Sequence, residues 1–452
     1  MNPIACVIDE LVNKRNVKVY FFGNEKYKEL IEKTGSEYRQ YSYFDMDILP
    51  LNEEKLNLGE FFRLMMKFAA DLLPELYKFC QEEKPDLIFM DHMSLHAKYL
   101  RNYLMIQDKK KKLDFSLPKF VDFFSTFATL PGIYPTKEDI KNAVGKFDFR
   151  ILFELFKIPC RQRRINKRLG LNLKLDLQKL FAPIDEVNIC CILMELQPKA
   201  DSMAHVYKFP GMCIAEHVRS IETGNQKLNE ILKTFPEINP FHLYSNRQDD
   251  DKDKEENRMK LIYVSLGTIS YNRISLLEKI IESFRIFDAE PTMSKVSNKT
   301  NVKFDDVRVV ITVGKEPYDL FEEKIRNKSY NLPSNIILAK FSPQIEILKR
   351  ASLFVTHAGC NSIGETIHYG VPVVCLPLQG DQPLAAIRVC DELNFGKRLD
   401  YRTFTPDQLR ALIHEMLIND DYRRNILEFT KISRRTNGIQ NTSDIIMNLL
   451  NN

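Results

Sequence analysis

Residues 354–365 read FVTHAGCNSIGE, and the fold turns on how that stretch is parsed. Phe354, Val355 and Thr356 close an apolar run with the β-branched content of a buried strand. Ala358-Gly359 makes a tight turn, and from Asn361 the apolar positions return at helical spacing. Gly359 lets backbone approach a ligand closely, and the unpaired N–H groups of a helix start favour an anion. His357, Asn361 and Ser362 bring further donors to that place. Glu365 follows about one helical turn later, where a carboxylate can accept from vicinal hydroxyls. Together these residues read as a diphosphate cradle without the lysine of a P-loop. Singly, each has a plainer reading: Asn361 or Ser362 as a helix cap, His357 as a satisfied polar residue.

Working outward, residues 261–265, 307–313, 335–341 and 371–376 also read as strands with helices between them. Thr405-Pro406-Asp407-Gln408 opens a helix, with Thr405 as cap, Pro406 as first helical residue and Gln408 at the reciprocal capping position. In the first half, residues 17–22 and 86–90 read as strands and 58–81 as a helix. Strands alternating with helices predict parallel sheets covered on both faces. Such doubly wound sheets bind ligands beyond the carboxyl ends of their strands. The break falls between Phe209 and Met259, beside the charged run 249–256, and residues 288–306 read as a polar surface insertion. The expected division is 1–212, a linker region at 213–258, a second domain at 259–425, and terminal helices at 426–452 that can pack back on the first domain.

Composition narrows the function. The 452 residues carry 65 basic and 61 acidic side chains, a net charge of +4, which excludes a globally electrostatic nucleic-acid binder. The basic runs 109–112 and 161–168 lack interleaved aromatics, so no nucleic-acid partner is expected. The second run follows apolar residues 147–158, which leaves a peripheral contact with an anionic membrane open. The nine cysteines lack metal-ligand spacing and mostly sit in apolar segments, no transmembrane segment is expected, and the N-terminus shows no leader pattern. The expectation is a cytoplasmic protein.

The quoted stretch does not stand alone. Phe341-Ser342-Pro343-Gln344, the run 357–362, Glu365, Gly370-Val371-Pro372 and Asp381-Gln382-Pro383 together resemble the signature of UDP-dependent glycosyltransferases. Residues 261–268 (LIYVSLGT) resemble that family's entry to its second domain, and residues 388–399 resemble the macrolide-glycosyltransferase branch. The first half is similar only at 13–20 and 85–91. The resemblance implies a glycosyltransferase-B fold, an α/β architecture of two Rossmann-like domains facing a cleft, with donor in the second and acceptor in the first. It implies that Phe341 stacks on uracil, where the family often has a tryptophan this chain lacks, and that Gln344 contacts the base. Ser265, Gly267 and Thr268 border the phosphates; His357, Gly359, Asn361 and Ser362 hold the diphosphate, and Glu365 the ribose. Asp381 and Gln382 contact the sugar. The implied reaction is inverting transfer of a hexose, of glucose type, from a UDP-sugar to a small lipophilic hydroxyl-bearing acceptor held between Met46 and Met194. No cofactor or metal is implied.

The resemblance also implies a base, a histidine in a Gly-His-x-Asn-Pro loop after the first strand. If Asn2-Pro3 is the end of that loop, the histidine falls before Met1, and the first strand of the first domain is missing. Asp91 matches the carboxylate that orients the base. His92 or His96 could replace the base. The alternatives are a UDP-sugar-binding pseudoenzyme and an epimerase on the same scaffold, against which the Phe341–Gln382 signature speaks.

Overall fold

Apolar strands and amphipathic helices alternate along the chain and build two separate α/β units. The computed structural model describes residues 2–41, 58–144, 149–173, 182–184, 186–214, 216, 225–241, 259–267, 273–285 and 307–452. The runs 249–256 and 288–306 and Thr268 lie outside the described residues, as does part of the span expected to hold the acceptor. One unit comprises Met1–Val218 with Thr436–Asn452, the other Arg219–Arg435. The chain therefore crosses back at Thr436, later than the 425/426 boundary read from the sequence. The region read as a linker contains a helix, α5 (Gln226–Thr234), that belongs to the second unit. Asn225 caps it, accepting from Leu228 N–H at 3.1 Å, and donates to the Leu338 carbonyl at 3.0 Å.

In the first unit the elements run α1 (Asn2–Asn13), β1 (Tyr20–Gly23), β2 (Glu37–Gln40), α2 (Leu58–Glu83), β3 (Leu87–Asp91), α3 (Leu95–Lys109), β4 (Lys119–Phe124), α4 (Phe149–Leu169), β5 (Val187–Cys190) and β6 (Tyr207–Lys208). Strands β3-β4-β5-β6 form one parallel sheet. Side chains alternate across it, as the pleat requires. Phe120 joins Leu72, Leu76 and Leu100 on one face, while Val121 and Phe123 join Val7, Leu11 and Ile446 on the other. Ile446 belongs to α13 (Gly438–Asn451), which the Arg15–Asp444 ion pair at 2.7 Å also ties to this unit.

Strands β1 and β2 form a separate two-stranded sheet. Among the described residues β1 pairs with β2 and β3 with β4, and the other edges of β1 and β3 line one cavity of about 710 Å³. Its walls include Tyr20 and Phe22 of β1, Leu87 and Phe89 of β3, Ile8 of α1 and Leu450 of α13.

In the second unit the elements are β7 (Lys260–Ser265), α6 (Ile274–Ser283), β8 (Val307–Thr312), α7 (Lys315–Arg326), β9 (Ile336–Ala339), α8 (Gln344–Leu348), β10 (Leu353–Thr356), α9 (Cys360–Tyr369), β11 (Val373–Cys375), α10 (Gln382–Ala386), β12 (Gly396–Arg398), α11 (Pro406–Ile418) and α12 (Asp421–Arg435). One parallel sheet orders the strands β12-β11-β10-β7-β8-β9. Strand order reverses between β7 and β10, which places a crevice beyond their carboxyl ends. Ile262, Val264, Val309, Ile311 and Val355 are fully buried in its core. The capping box opening α11 forms as read: Thr405 Oγ1 accepts from Gln408 N–H at 3.3 Å, and Thr405 N–H donates to Gln408 Oε1 at 2.9 Å.

The two units differ in how their strands are paired. Slot-facing amides of β1 and β3 exchange with solvent on the order of 100-fold faster than those of β7 and β10, which are paired on both sides. Hydrogen-exchange mass spectrometry checks this, and equal protection of the two sets refutes it.

Candidate functional site

The loops after β7, β9, β10 and β11 bring most of the expected residues to one end of the second sheet. Thr356 closes β10, and its Oγ1 accepts from Ala358 N–H at 3.3 Å, which fixes the turn. Ala358 is buried with φ +65°, a left-handed backbone that costs a non-glycine residue roughly 1–2 kcal/mol. Gly359 then takes the N-cap of α9 in extended conformation, and Cys360, Asn361 and Ser362 begin the helix. The first N–H groups of a helix have no intrahelical acceptor and point outward. Asn361 is exposed beside them, and Ser362 half-buried.

Packing explains both glycines around His357. A Cβ on Gly267 would lie 2.7 Å from His357 Cε1 and Nε2, and one on Gly359 2.6 Å from Nε2. Gly267 also sits at φ +79°. The imidazole thus fits between the loop after β7 and the turn after β10, and only glycine at both positions admits it. Burial pushes the His357 pKa down to about 4, against the opposing pull of Asp381 and a hydrogen bond to the backbone of Ser265. The ring is neutral near pH 7. Its Nδ1 is buried and has no partner among the described residues, an orphan of the kind that costs roughly 1–3 kcal/mol.

A second cluster forms around Gln344, the first residue of α8. Gln344 Nε2 donates to Glu365 Oε2 at 2.6 Å and to Ser362 Oγ at 3.3 Å. This contact satisfies Glu365, whose carboxylate is otherwise buried. Behind them lies a hydroxyl network that sequence reasoning missed. Tyr263 of β7 reaches Thr312 Oγ1 at 3.1 Å, Ser342 Oγ at 3.2 Å and Gln344 Oε1 at 3.5 Å. Its one sequence signal is a tyrosine in a buried strand, whose hydroxyl must find a partner. Phe341 is 59% exposed at the rim, a large apolar ring left open beside this network.

The last two expected residues do not act as a simple pair. Gln382 Oε1 accepts from Leu378 N–H at 2.9 Å and Gln379 N–H at 3.0 Å, so its carbonyl oxygen holds its own loop. Asp381 accepts instead from Cys360 Sγ at 3.2 Å. Ser265 is buried behind the ring, its Oγ 3.5 Å from Gly267 N–H.

In the first unit, Asp91 ends β3 and accepts from Met93 N–H at 2.8 Å. Burial raises its pKa. His92 stacks on Phe124 at 3.8 Å, and its Nδ1 lies 3.6 Å from Asp122, a buried carboxylate that Lys98 approaches to 3.9 Å. His96 shares a 2.9 Å hydrogen bond with the Tyr41 hydroxyl, and burial pushes its pKa down to about 4. Both histidines are thus built into packed surroundings.

The family model described as "UDP-glucoronosyl and UDP-glucosyl transferase" matches residues 296–437. The chain is 25% identical over 454 residues to the uncharacterized UDP-glucosyltransferase YojK of Bacillus subtilis, covering 99% of this chain and 94% of that protein. It is also 25% identical to the NDP-glycosyltransferase YjiC of Bacillus licheniformis, over 99% of this chain and 93% of the relative. Among solved structures, the kitacinnamycin glycosyltransferase superposes with a TM-score of 0.68 at 21% identity, over 99% and 95% of the two chains. A UDP-glucose: anthocyanidin 3-O-glucosyltransferase solved in complex with UDP superposes at 0.61 and 15% identity, over 100% and 96%. The fold is glycosyltransferase-B.

Two consequences of the His357 packing can be measured. Gly267→Ala destabilises the second unit by about 2 kcal/mol through its positive φ and the collision with the ring. Unchanged denaturant midpoints would contradict this. The depressed His357 pKa means the unfolded chain binds its proton first. The stabilisation is complete above about pH 6.5 and lost as pH falls toward 4, on the order of 3 kcal/mol. His357→Gln flattens that part of the stability–pH curve, read by following unfolding of the second unit across this range.

Proposed function

We propose that this chain is a UDP-glycosyltransferase, which binds a UDP-sugar in the second unit and transfers its hexose, with inversion, to a lipophilic hydroxyl-bearing acceptor. The observation that carries this reading is the His357 ring seated between Gly267 and Gly359 beside the start of α9. That arrangement offers backbone N–H groups and an imidazole at the carboxyl end of β10, in the crevice where strand order reverses.

In this reading the diphosphate lies against Gly359, Asn361 and Ser362, with Ser265 at its border. Phe341 stacks on the uracil, Gln344 lies beside the base, Glu365 meets the ribose, and Asp381 and Gln382 meet the sugar, which we take to be of glucose type. The acceptor oxygen forms a bond to the anomeric carbon as the bond from that carbon to the phosphate oxygen breaks, and the acceptor proton leaves to a base. Negative charge grows on the departing diphosphate. His357 and the helix start therefore stabilise the transition state more than the bound substrate. The charge is met by these groups in our reading, without a metal.

A second reading has a specific observation in its favour. Asp91 holds Met93 N–H, while His92 turns to Phe124 and Asp122, and His96 to Tyr41. In this second reading neither His92 nor His96 serves as the base, and the chain binds UDP-sugar without transferring it.

Calorimetry separates the claims. UDP binds the full chain, and His357→Ala or Glu365→Ala weakens it about tenfold, the factor for one lost hydrogen bond to a charged group. Unaltered affinity in both variants places the donor elsewhere. UDP release that depends on a phenolic or other lipophilic acceptor supports transfer; UDP affinity with no release under any such acceptor supports the binding-only reading.

A further inference from the structure

Gln344 opens α8, and its side-chain amide is spent on the protein itself. A primary amide has two hydrogens to donate. One goes to Glu365 Oε2 at 2.6 Å and the other to Ser362 Oγ at 3.3 Å. Ser362 and Glu365 stand three residues apart on α9, so they share one face of that helix. The amide thus clasps a single turn of α9 from the side of α8. Its Oε1 lies 3.5 Å from the hydroxyl of Tyr263. That tyrosine is itself buried in β7, with Thr312 Oγ1 at 3.1 Å and Ser342 Oγ at 3.2 Å around its hydroxyl.

We propose that Gln344 is a positioning residue for the ribose of the donor: it sets the place of the Glu365 carboxylate and acts on the nucleotide through it. This rests on the reading of Glu365 as the ribose contact, and it replaces the base contact that the resemblance implies for Gln344. A glutamate side chain is rich in rotamers, and fixing one of them costs entropy. A short bond from the amide to the carboxylate supplies that order before any ligand arrives, so binding does not have to. A base that took an amide hydrogen would have to draw it away from Glu365 or Ser362. That exchanges one hydrogen bond for another with little net gain. The vicinal hydroxyls of a ribose meet instead a carboxylate already held in place.

Calorimetry on the full chain compares UDP with 2′,3′-dideoxyuridine diphosphate, which keeps the base and the diphosphate but lacks both ribose hydroxyls. The parent chain binds UDP about tenfold more tightly than the analogue, and Glu365→Ala removes that preference. Gln344→Met keeps the side-chain length without an N–H. It weakens UDP about fivefold and leaves the analogue unchanged. The double variant binds UDP no more weakly than Glu365→Ala alone, because the two residues act as one unit. Equal loss of UDP and analogue in Gln344→Met assigns the amide to the base or the diphosphate and overturns the proposal. Parental UDP affinity in Gln344→Met, beside a Glu365→Ala chain that has lost it, overturns the positioning role and spares the ribose contact. If Glu365→Ala keeps the full preference for UDP, the ribose contact itself fails and the proposal falls with it. Thermal melts establish that the chains compared are folded, and Gln344→Leu takes the place of Gln344→Met if the latter is not.

Discussion

One imidazole sets the geometry of the second unit's crevice. His357 fills the space between the loop after β7 and the turn after β10, and neither Gly267 nor Gly359 can carry a Cβ while it does. These two strands are adjacent in the sheet, with Val355 opposite Val264 and Thr356 opposite Ser265. Their register therefore fixes how close the loops come, and the ring makes the closeness obligatory. Everything else at that end follows from it: the left-handed Ala358, the direction of α9, and the thiol of Cys360 that reaches Asp381. Strain at Ala358 persists because a buried ring and a paired strand both hold the turn.

The parts of this arrangement that were legible in sequence are those written in backbone terms. A β-branched run, a glycine and a capped helix announce strand, turn and helix whatever surrounds them, so residues 354–365 read correctly, as did the capping box at Thr405. The strands that escaped notice are of two kinds: β2 (EYRQ) and β12 (GKR) are polar and lie at sheet edges, where only one partner shapes their composition, whereas β4 (KFVDFF), β5 (VNIC) and β6 (YK) are short runs in the half of the chain with the weakest pattern. The links missed at the site are of another kind. Tyr263 meets Ser342 and Gln344 across 79 and 81 residues, and Cys360 meets Asp381 across 21. No local period encodes such contacts; they exist only once β7, β9, β10 and β11 are brought to one edge. The α5 helix inside the presumed linker was hidden for a simpler reason, since only Leu228 and Ile231 supply its buried face.

The first unit obeys a different constraint. Its core is continuous on both faces of β4, yet among the described residues β1 and β3 each pair on one side only and line the same cavity. Unpaired backbone groups are costly where water cannot reach them, and the cavity wall is mixed, with Lys18, Glu83 and Asp86 beside its apolar residues. Buried charge adds to the demand. Asp122 sits in the middle of β4 with no exposure and draws His92 and Lys98 toward it, two side chains whose own burial disfavours their charged forms. This unit's stability rests on side-chain packing and on α13 closing against α1, with less help from the ladder than the second unit has.

The protonation state of His357 ties the energetics of the second unit to its chemistry. Burial alone would make this ring a liability, because a neutral imidazole with an orphan Nδ1 is paid for by the packing around it. The same burial keeps positive charge out of the crevice while it is empty, which spares the fold a desolvated cation. An anion arriving at the start of α9 reverses the balance, since a nearby negative charge favours the protonated ring. An anion bound there would bring the ring its positive charge only in company with the charge that compensates it. A lysine at this position would carry its charge whether or not a ligand was present, and no pair of flanking glycines could relieve that cost. The glycines admit a ring that can be neutral, and neutrality is what allows the group to be buried between them.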